Sequence, residues 1–127
     1  MRCADLAETW NGLLTWFDQR GVLVLPQLSA DTLLVRLDAD VDQKRTATPE
    51  EVARAADRLR AVIDHFGVRA VYVQQTPSPS PGRACAEPAV ITARVVAGGV
   101  VHELTLFAAW YYDYLDEAVE MEFAATS

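Results

Sequence analysis

A pair of glycines, Gly98-Gly99, separates two stretches in which apolar and polar residues alternate, and it constrains the fold more than any other feature. Adjacent glycines readily adopt the positive φ angles of a two-residue β-hairpin turn. A turn here sets Arg94 opposite Glu103 and Thr92 opposite Thr105 on one face of the hairpin. The other face then carries the apolar side chains of Ile91, Ala93, Val95, Leu104 and Leu106. Because the charge pairing and the apolar pattern agree on one register, the sequence predicts this hairpin residue by residue.

The clearest helix signal is the segment Thr48-Pro49-Glu50-Glu51. A threonine cap, a proline at the first helical position and a glutamate three residues after the threonine form a capping box. The apolar residues that follow share one helical face: Val52, Ala55, Ala56, Leu59, Val62, Ile63 and Phe66. Gly67 is typical of a helix C-terminus. The sequence therefore predicts an amphipathic helix that ends at Gly67.

An earlier helix is predicted from Asp5 to about Arg20. Asp5 as the N-cap and Glu8 three residues later match a capping box, and Gly21 is a natural stop. The apolar face of this helix consists of Leu6, Trp10, Leu13, Leu14 and Phe17. We expect this face to pack in the core.

Three more segments are predicted as strands. The continuous apolar run Val22–Leu25, closed by Pro26, is typical of a buried strand. The stretch Thr32–Leu37 alternates, which favours a hairpin with the preceding run. Its apolar side carries Leu33, Val35 and Leu37. The segment Val68–Gln75, rich in β-branched residues, is a further strand.

The C-terminal segment is strongly acidic and aromatic. Residues 95–127 contain six carboxylates and no lysine or arginine, whereas residues 1–94 hold 12 acids and 11 bases, so −6 of the net charge of −7 lies at one end. A helix is predicted from about Ala108 to Phe123, with an acidic stripe opposite an aromatic side. The candidate partner-binding residues are Trp110, Tyr112, Asp113, Asp116, Glu117 and Glu120. Neighbouring like charges destabilise a helix, so helix stability alone does not explain this stripe. It indicates either a surface that docks a basic partner or a solvated face whose charge keeps the protein soluble.

Together these elements predict one α+β domain over residues 1–127, in the order α-β-β-α-β-β-β-α. Residues 76–88, with four prolines, form a Pro/Ser-rich internal loop. The order of elements resembles that of roadblock-type and profilin-like domains over the whole chain. That resemblance implies a five-stranded, mainly antiparallel sheet with helices packed on it.

The sequence indicates no metal, cofactor or catalytic site. Asp38-Ala39-Asp40-Val41-Asp42 has the opening spacing of a calcium loop, but Gln43 replaces the required glycine and Pro49 the bidentate glutamate. Cys85 and His102 form the one nucleophile and base pair worth considering, and no third orienting residue accompanies them. A small Cys-dependent hydrolase or transferase is therefore kept only as an alternative.

Charge and hydropathy narrow the class of protein. A pI near 4.7 and a single lysine argue against nucleic acid as a partner, and no apolar run is long enough to span a membrane. We expect a cytoplasmic, non-catalytic protein-binding module that forms a homodimer and uses its acidic-aromatic C-terminal helix to bind a basic partner. An immunity or inhibitor protein that blocks a basic, nuclease-like toxin is the second hypothesis.

Overall fold

The computed structural model describes residues 3–28, 33–38, 47–76 and 90–107 of the chain. In that part of the chain two helices and five strands follow one another: α1 (Cys3–Gln19), β1 (Leu23–Pro26), β2 (Leu34–Arg36), α2 (Pro49–Phe66), β3 (Ala70–Thr76), β4 (Val90–Ala97) and β5 (Val100–Phe107). An α+β fold with a five-stranded sheet is thus confirmed. The helix expected over residues 108–123 lies outside the described residues, and so does the Pro/Ser-rich loop beyond Thr76.

The sheet has the strand order β1-β3-β4-β5-β2 and is mixed rather than mainly antiparallel. The central strands β3, β4 and β5 pair antiparallel, whereas β1 runs parallel to β3 and β2 runs parallel to β5. The expected hairpin between β1 and β2 is therefore wrong, because these two strands lie at opposite edges. Strands of four and three residues form few ladder hydrogen bonds, so their own alternation does not specify a partner.

The hairpin of β4 and β5 has the predicted register throughout, including Arg94 opposite Glu103 and Thr92 opposite Thr105. Gly98 and Gly99 have φ angles of 61° and 78°, which a two-residue turn with two positive φ angles requires. The Arg94 Nε atom lies 2.7 Å from Glu103 Oε2. The turn predicted from the two glycines and the predicted pairing of Arg94 with Glu103 are therefore both confirmed.

The predicted ends of α2 are confirmed. Thr48 Oγ1 accepts a hydrogen bond from the Glu51 N–H at 3.2 Å, and Glu51 Oε1 accepts one from the Thr48 N–H at 3.1 Å. Gly67, with φ 62°, ends the helix in the left-handed conformation and donates its N–H to Ile63 O. Both ends of α2 therefore have the hydrogen bonds that a helix terminus otherwise lacks.

The predicted start of α1 is wrong, whereas its end is confirmed. The helix begins at Cys3, so Asp5 lies in the first turn and does not cap it. The helix dipole favours a carboxylate in the first turn even when it is not the cap. Asp5 is therefore compatible both with the predicted start at Asp5 and with the observed start at Cys3. Gly21 ends α1 with φ 67° and donates its N–H to Asp18 O at 3.1 Å.

The core lies between the two helices and one face of the sheet. Its most deeply buried side chains are Leu6, Leu13, Phe17, Leu59, Val71, Val95, Leu104 and Leu106, each at most 1% exposed. The predicted apolar faces of α1, α2 and the β4–β5 hairpin therefore meet in one cluster. Neither described helix is long and apolar enough to cross a membrane.

Candidate interaction surface

The first strand is exposed, contrary to the expectation that its apolar run is buried. Leu23 is 63% exposed and Val24 is 43% exposed, whereas only Val22, just before the strand, is buried. The reason is that β1 lies at the edge of the sheet and contacts a neighbouring strand on one side only. A continuous apolar run marks a strand but does not show whether other elements cover it.

A shallow groove of about 420 Å³ lies at the end of the sheet beside the β4–β5 turn. We call it the sheet-end groove. Its apolar lining includes Phe66, Val68, Ala70, Tyr72 and Val96. Val96 is 51% exposed and Phe66 is 49% exposed. Leu23 pairs in register with Ala70, so the exposed strand β1 adjoins this groove. Leu23 and the groove thus lie on one face of the sheet, whereas Val24, the partner of the buried Val71, points to the other face.

Phe66 was expected on the buried face of α2, but it is the last residue of the helix and lies half outside the core. Its ring contacts His65 with 4.7 Å between ring centroids and His102 with 6.2 Å. A Cβ atom at Gly98 would lie 3.1 Å from the Phe66 ring. Phe66 is therefore held against the β4–β5 turn, with part of its ring presented to solvent.

Charged residues also lie beside the groove. Arg69 is part of its lining, and a neighbouring pocket that shares Gly67, Val68 and Arg69 with it also includes Arg20 and Asp64. Arg20 Nε lies 3.1 Å from Asp64 Oδ1, and the Arg20 guanidinium stacks 3.9 Å from the centroid of the Trp16 ring. Exposed pairs of this kind contribute about 0–1 kcal/mol each.

A row of polar side chains crosses the face of the sheet opposite the helices. Tyr72, Arg94, Glu103 and Arg36 are register partners on four adjacent strands. Arg94 also donates to Leu28 O at 2.6 Å, so the chain after β1 lies over this face. The exposed fractions of the Arg94 and Glu103 side chains are 21% and 12%. This row holds strands and a connecting segment together.

Asp38 follows β2, contacts Arg36 of this row, and is the one described polar residue that is buried, at 4% exposure. Its Oδ2 atom lies 3.2 Å from Arg36 Nη2. Burial raises the pKa of the Asp38 carboxyl, and the attraction of Arg36 opposes that rise only in part. Arg58 of α2 donates to Leu37 O at 2.8 Å, which fixes the neighbouring backbone. These contacts anchor the end of β2.

The residues predicted to bind a partner all lie outside the described part of the chain: Trp110, Tyr112, Asp113, Asp116, Glu117 and Glu120. Cys85 lies outside it too, so its pairing with His102 stays a prediction. His102 is half-buried, and its Nε2 atom lies 3.3 Å from Ala97 O. Within the four described ranges, no group of three or more His, Cys, Asp or Glu side chains is placed to hold a metal ion.

The exposure of Leu23, Val24, Phe66 and Val96 was missed by reasoning from the sequence. One signal was available, because Pro26 follows the apolar run directly and proline in a strand is confined to edges, strand starts and bulges. Pro26 is in fact the last residue of an edge strand. For Val96 the alternation of β4 was a second signal, since Val96 follows Arg94 by two residues and so lies on the polar face of the hairpin. No comparable signal distinguishes Phe66 from core residues.

No protein-family model, no curated protein and no solved structure matches this chain. The mixed sheet also differs from the antiparallel sheet that the resemblance to roadblock-type and profilin-like domains implied.

Proposed function

We propose that this chain is a cytoplasmic, non-catalytic protein-binding module. It forms a homodimer and binds a basic partner through the acidic-aromatic segment of residues 110–120. The observation that carries this proposal is the apolar surface formed by Leu23 and the sheet-end groove, with Leu23, Phe66 and Val96 exposed by 49–63%. Val24, 43% exposed, adds apolar surface on the other face of the same edge strand.

Contiguous exposed apolar surface rimmed by polar residues is characteristic of protein contact sites. Here the polar residues beside the groove include Arg69 and the ion pair of Arg20 with Asp64. The exposed side chains belong to β1, α2 and β4, which are regular elements attached to the core. Their positions are set before a partner arrives, so binding would cost little ordering entropy.

The chemistry of the second partner follows from charge. Beyond β5 the segment from residue 108 onwards carries five carboxylates and no basic residue, whereas Glu103 is already paired with Arg94. Concentrated charge of one sign accelerates association with a surface of opposite sign and improves selectivity more than it increases affinity. Trp110 and Tyr112 would act as aromatic anchors between the carboxylates of Asp113, Asp116, Glu117 and Glu120.

A synthetic peptide of ten arginines serves as the basic probe. We compare its affinity, by calorimetry at low and high salt, for the native chain and for the double variant Asp113→Lys/Asp116→Lys. The matched control is Glu8→Lys/Asp18→Lys, whose two sites are exposed on α1. Each double variant replaces two carboxylates by two ammonium groups, so the net charge of both rises from −7 to −3.

The proposal requires a clearly larger loss of affinity in the Asp113/Asp116 variant than in the control. Equal losses would show that the probe responds only to net charge, and the assigned docking segment would then be wrong.

The homodimer is tested by sedimentation velocity over a concentration series at low and high salt. Association through apolar surface survives high salt, because screening acts on charges and not on hydrophobic contacts. A monomer at every concentration would overturn the homodimer. It would favour the inhibitor hypothesis, in which one acidic chain blocks one basic toxin.

A further inference from the structure

Among the described residues, one backbone N–H group on the outer edge of β1 has no hydrogen-bond partner. The N–H of Leu23 donates to Arg69 O at 2.8 Å, so the N–H and C=O of Leu23 and Leu25 face β3. The N–H and C=O of Val24 consequently point away from the sheet. No described residue forms a hydrogen bond with these two outward groups.

The residues on either side of Val24 add no further donor. The N–H of Val22 donates to Phe17 O at 2.8 Å and is already used. Pro26 has no N–H to donate. Its nitrogen faces away from β3, so the missing donor does not interrupt the ladder between β1 and β3. The free edge therefore has a single donor, which is too little for a long added strand from another protein.

We propose that two copies of this chain pair antiparallel through β1, about a two-fold axis at Val24. On that axis the Val24 N–H of each copy donates to the Val24 C=O of the other, so both outward groups of each copy are satisfied. Leu23 of one copy then lies opposite Leu25 of the other. This inference rests on the proposed homodimer and identifies the surface that forms it.

Charge favours a second copy as the occupant of this edge. A two-fold axis places each central residue beside its own equivalent, so a charged strand would bring like charges together. Residues 22–28 carry no charged side chain. β2, the other edge strand, includes Arg36 among its three residues. Pairing two copies through β1 therefore brings no like charges together, whereas pairing through β2 would bring the two Arg36 side chains together.

The size of this surface sets the strength of the dimer. Stable interfaces commonly use about 20–30 residues a side, whereas β1 and the adjoining groove supply far fewer. We therefore expect a dimer that dissociates on dilution and that re-forms when the protein is concentrated.

The test replaces Val24 by lysine, a residue that natural edge strands use to prevent pairing. The matched control is Val35→Lys on β2, since Val35 is 40% exposed and Val24 is 43% exposed on the opposite edge. Dissociation constants are measured by sedimentation velocity, and melting temperatures show whether each variant is folded. We expect Val24→Lys to weaken the dimer about tenfold or more, because each dimer loses two Val24 contacts. Val35→Lys should leave the dimer unchanged.

A mixing experiment separates loss of the interface from loss of the fold. Val24→Lys and Val24→Glu should each be monomeric where the native chain is dimeric, and an equimolar mixture should recover the dimer by pairing opposite charges across the axis. Hydrogen exchange of the Val24 amide should slow as the native chain is concentrated. A dimer unaffected by Val24→Lys, or a mixture that stays monomeric, would overturn the β1 interface while leaving the proposed homodimer in place. A native chain that is monomeric at all concentrations would overturn both.

Discussion

Asp38 shows at the residue scale how burial and ion pairing compete. Its carboxylate is 4% exposed and pairs with Arg36, yet its pKa is raised because desolvation outweighs the attraction of the guanidinium. An acid whose pKa is raised on folding holds its proton more tightly in the folded state than in the unfolded state. Its stabilising contribution is therefore complete at low pH and is lost as pH rises from the unfolded pKa, about 3.9, through the folded one.

Asp38→Asn is the substitution that isolates this effect, since asparagine keeps the size and the acceptor oxygen that faces Arg36. We expect the variant to be at least as stable as the native chain at pH 7, and to gain on it between pH 4 and pH 7. Urea denaturation at both pH values measures the difference. A clear loss of stability at pH 7 that is absent at pH 4 would mean that the pair with Arg36 outweighs the cost of burial.

Two glycines offer a matched pair of opposite predictions. Gly98 has a φ of 61°, and an added Cβ would lie 3.1 Å from the Phe66 ring, whereas Gly12 lies in α1 with nothing within 4 Å. Gly98→Ala should destabilise the chain by about 1–2 kcal/mol, because alanine is strained at positive φ. Gly12→Ala should stabilise it by up to about 1 kcal/mol, since alanine favours a helix interior.

The free energies of unfolding of Gly98→Ala and Gly12→Ala, measured by thermal and urea denaturation, test these two predictions. Equal effects of the two substitutions would contradict the assigned turn.

The β4–β5 hairpin is the element on which the sheet is built. Its eight-residue strands pair along their whole length, and β3 and β2 add to its two sides. The Arg94–Glu103 pair is largely buried and Arg94 also holds Leu28 O, so this pair joins the hairpin to the chain that follows β1. A surface charge pair opposed across two strands would contribute much less.

Arg94→Glu should accordingly destabilise the fold by about 1–3 kcal/mol, because a part-buried charge-assisted hydrogen bond is lost and two carboxylates then face each other across the strands, whereas a cross-strand pair in solvent is worth at most about 1 kcal/mol. The exchanged variant Arg94→Glu/Glu103→Arg should recover part of that loss and not all of it, because the bond to Leu28 O requires the donor at position 94. Comparing the free energies of unfolding of the single and double variants measures how much of the lost stability is recovered. Full recovery would show that the contact with Leu28 contributes nothing.

Apolar exposure and acidic charge lie in different parts of the chain. Exposed apolar residues occur at both edges of the described sheet and at the β4–β5 turn, with Leu33 and Val35 at the β2 edge, and five of the carboxylates lie beyond β5 in sequence. Apolar self-association and charge-guided binding of a partner would therefore use separate parts of the chain. Salt should distinguish them, because it screens only the second.

Replacing Asp113, Asp116, Glu117 and Glu120 together by lysine is the corresponding prediction for the whole chain. If this stripe faces solvent, the melting temperature should change by no more than a few degrees, since surface substitutions usually alter stability by about 0.5 kcal/mol or less each. Circular dichroism melting of the variant measures the change. Unfolding at room temperature would show that these carboxylates are needed for the fold and are not a docking stripe.

Much of the local structure was predictable from the residues. The register of β4 and β5 followed from Gly98-Gly99 and from the opposed Arg94 and Glu103, and both ends of α2 followed from Thr48 and Gly67. Each of these features depends on side chains and backbone angles a few residues apart, and such information is present in any short window of sequence. The candidate site was much less predictable, because its exposed residues have the same apolar character as the core.

Within the described ranges, the sequence by itself therefore determined which segments form helices and strands, where α2 begins and where both helices end, and how the long hairpin pairs. Only the tertiary structure decided that β1 joins β3 and β2 joins β5, in parallel and at opposite edges. The reason is that strands of four and three residues form few hydrogen bonds of their own, so the open edges of the central antiparallel strands select their position. That choice left Leu23 and Val24 facing solvent, and with them the surface through which this chain is proposed to pair.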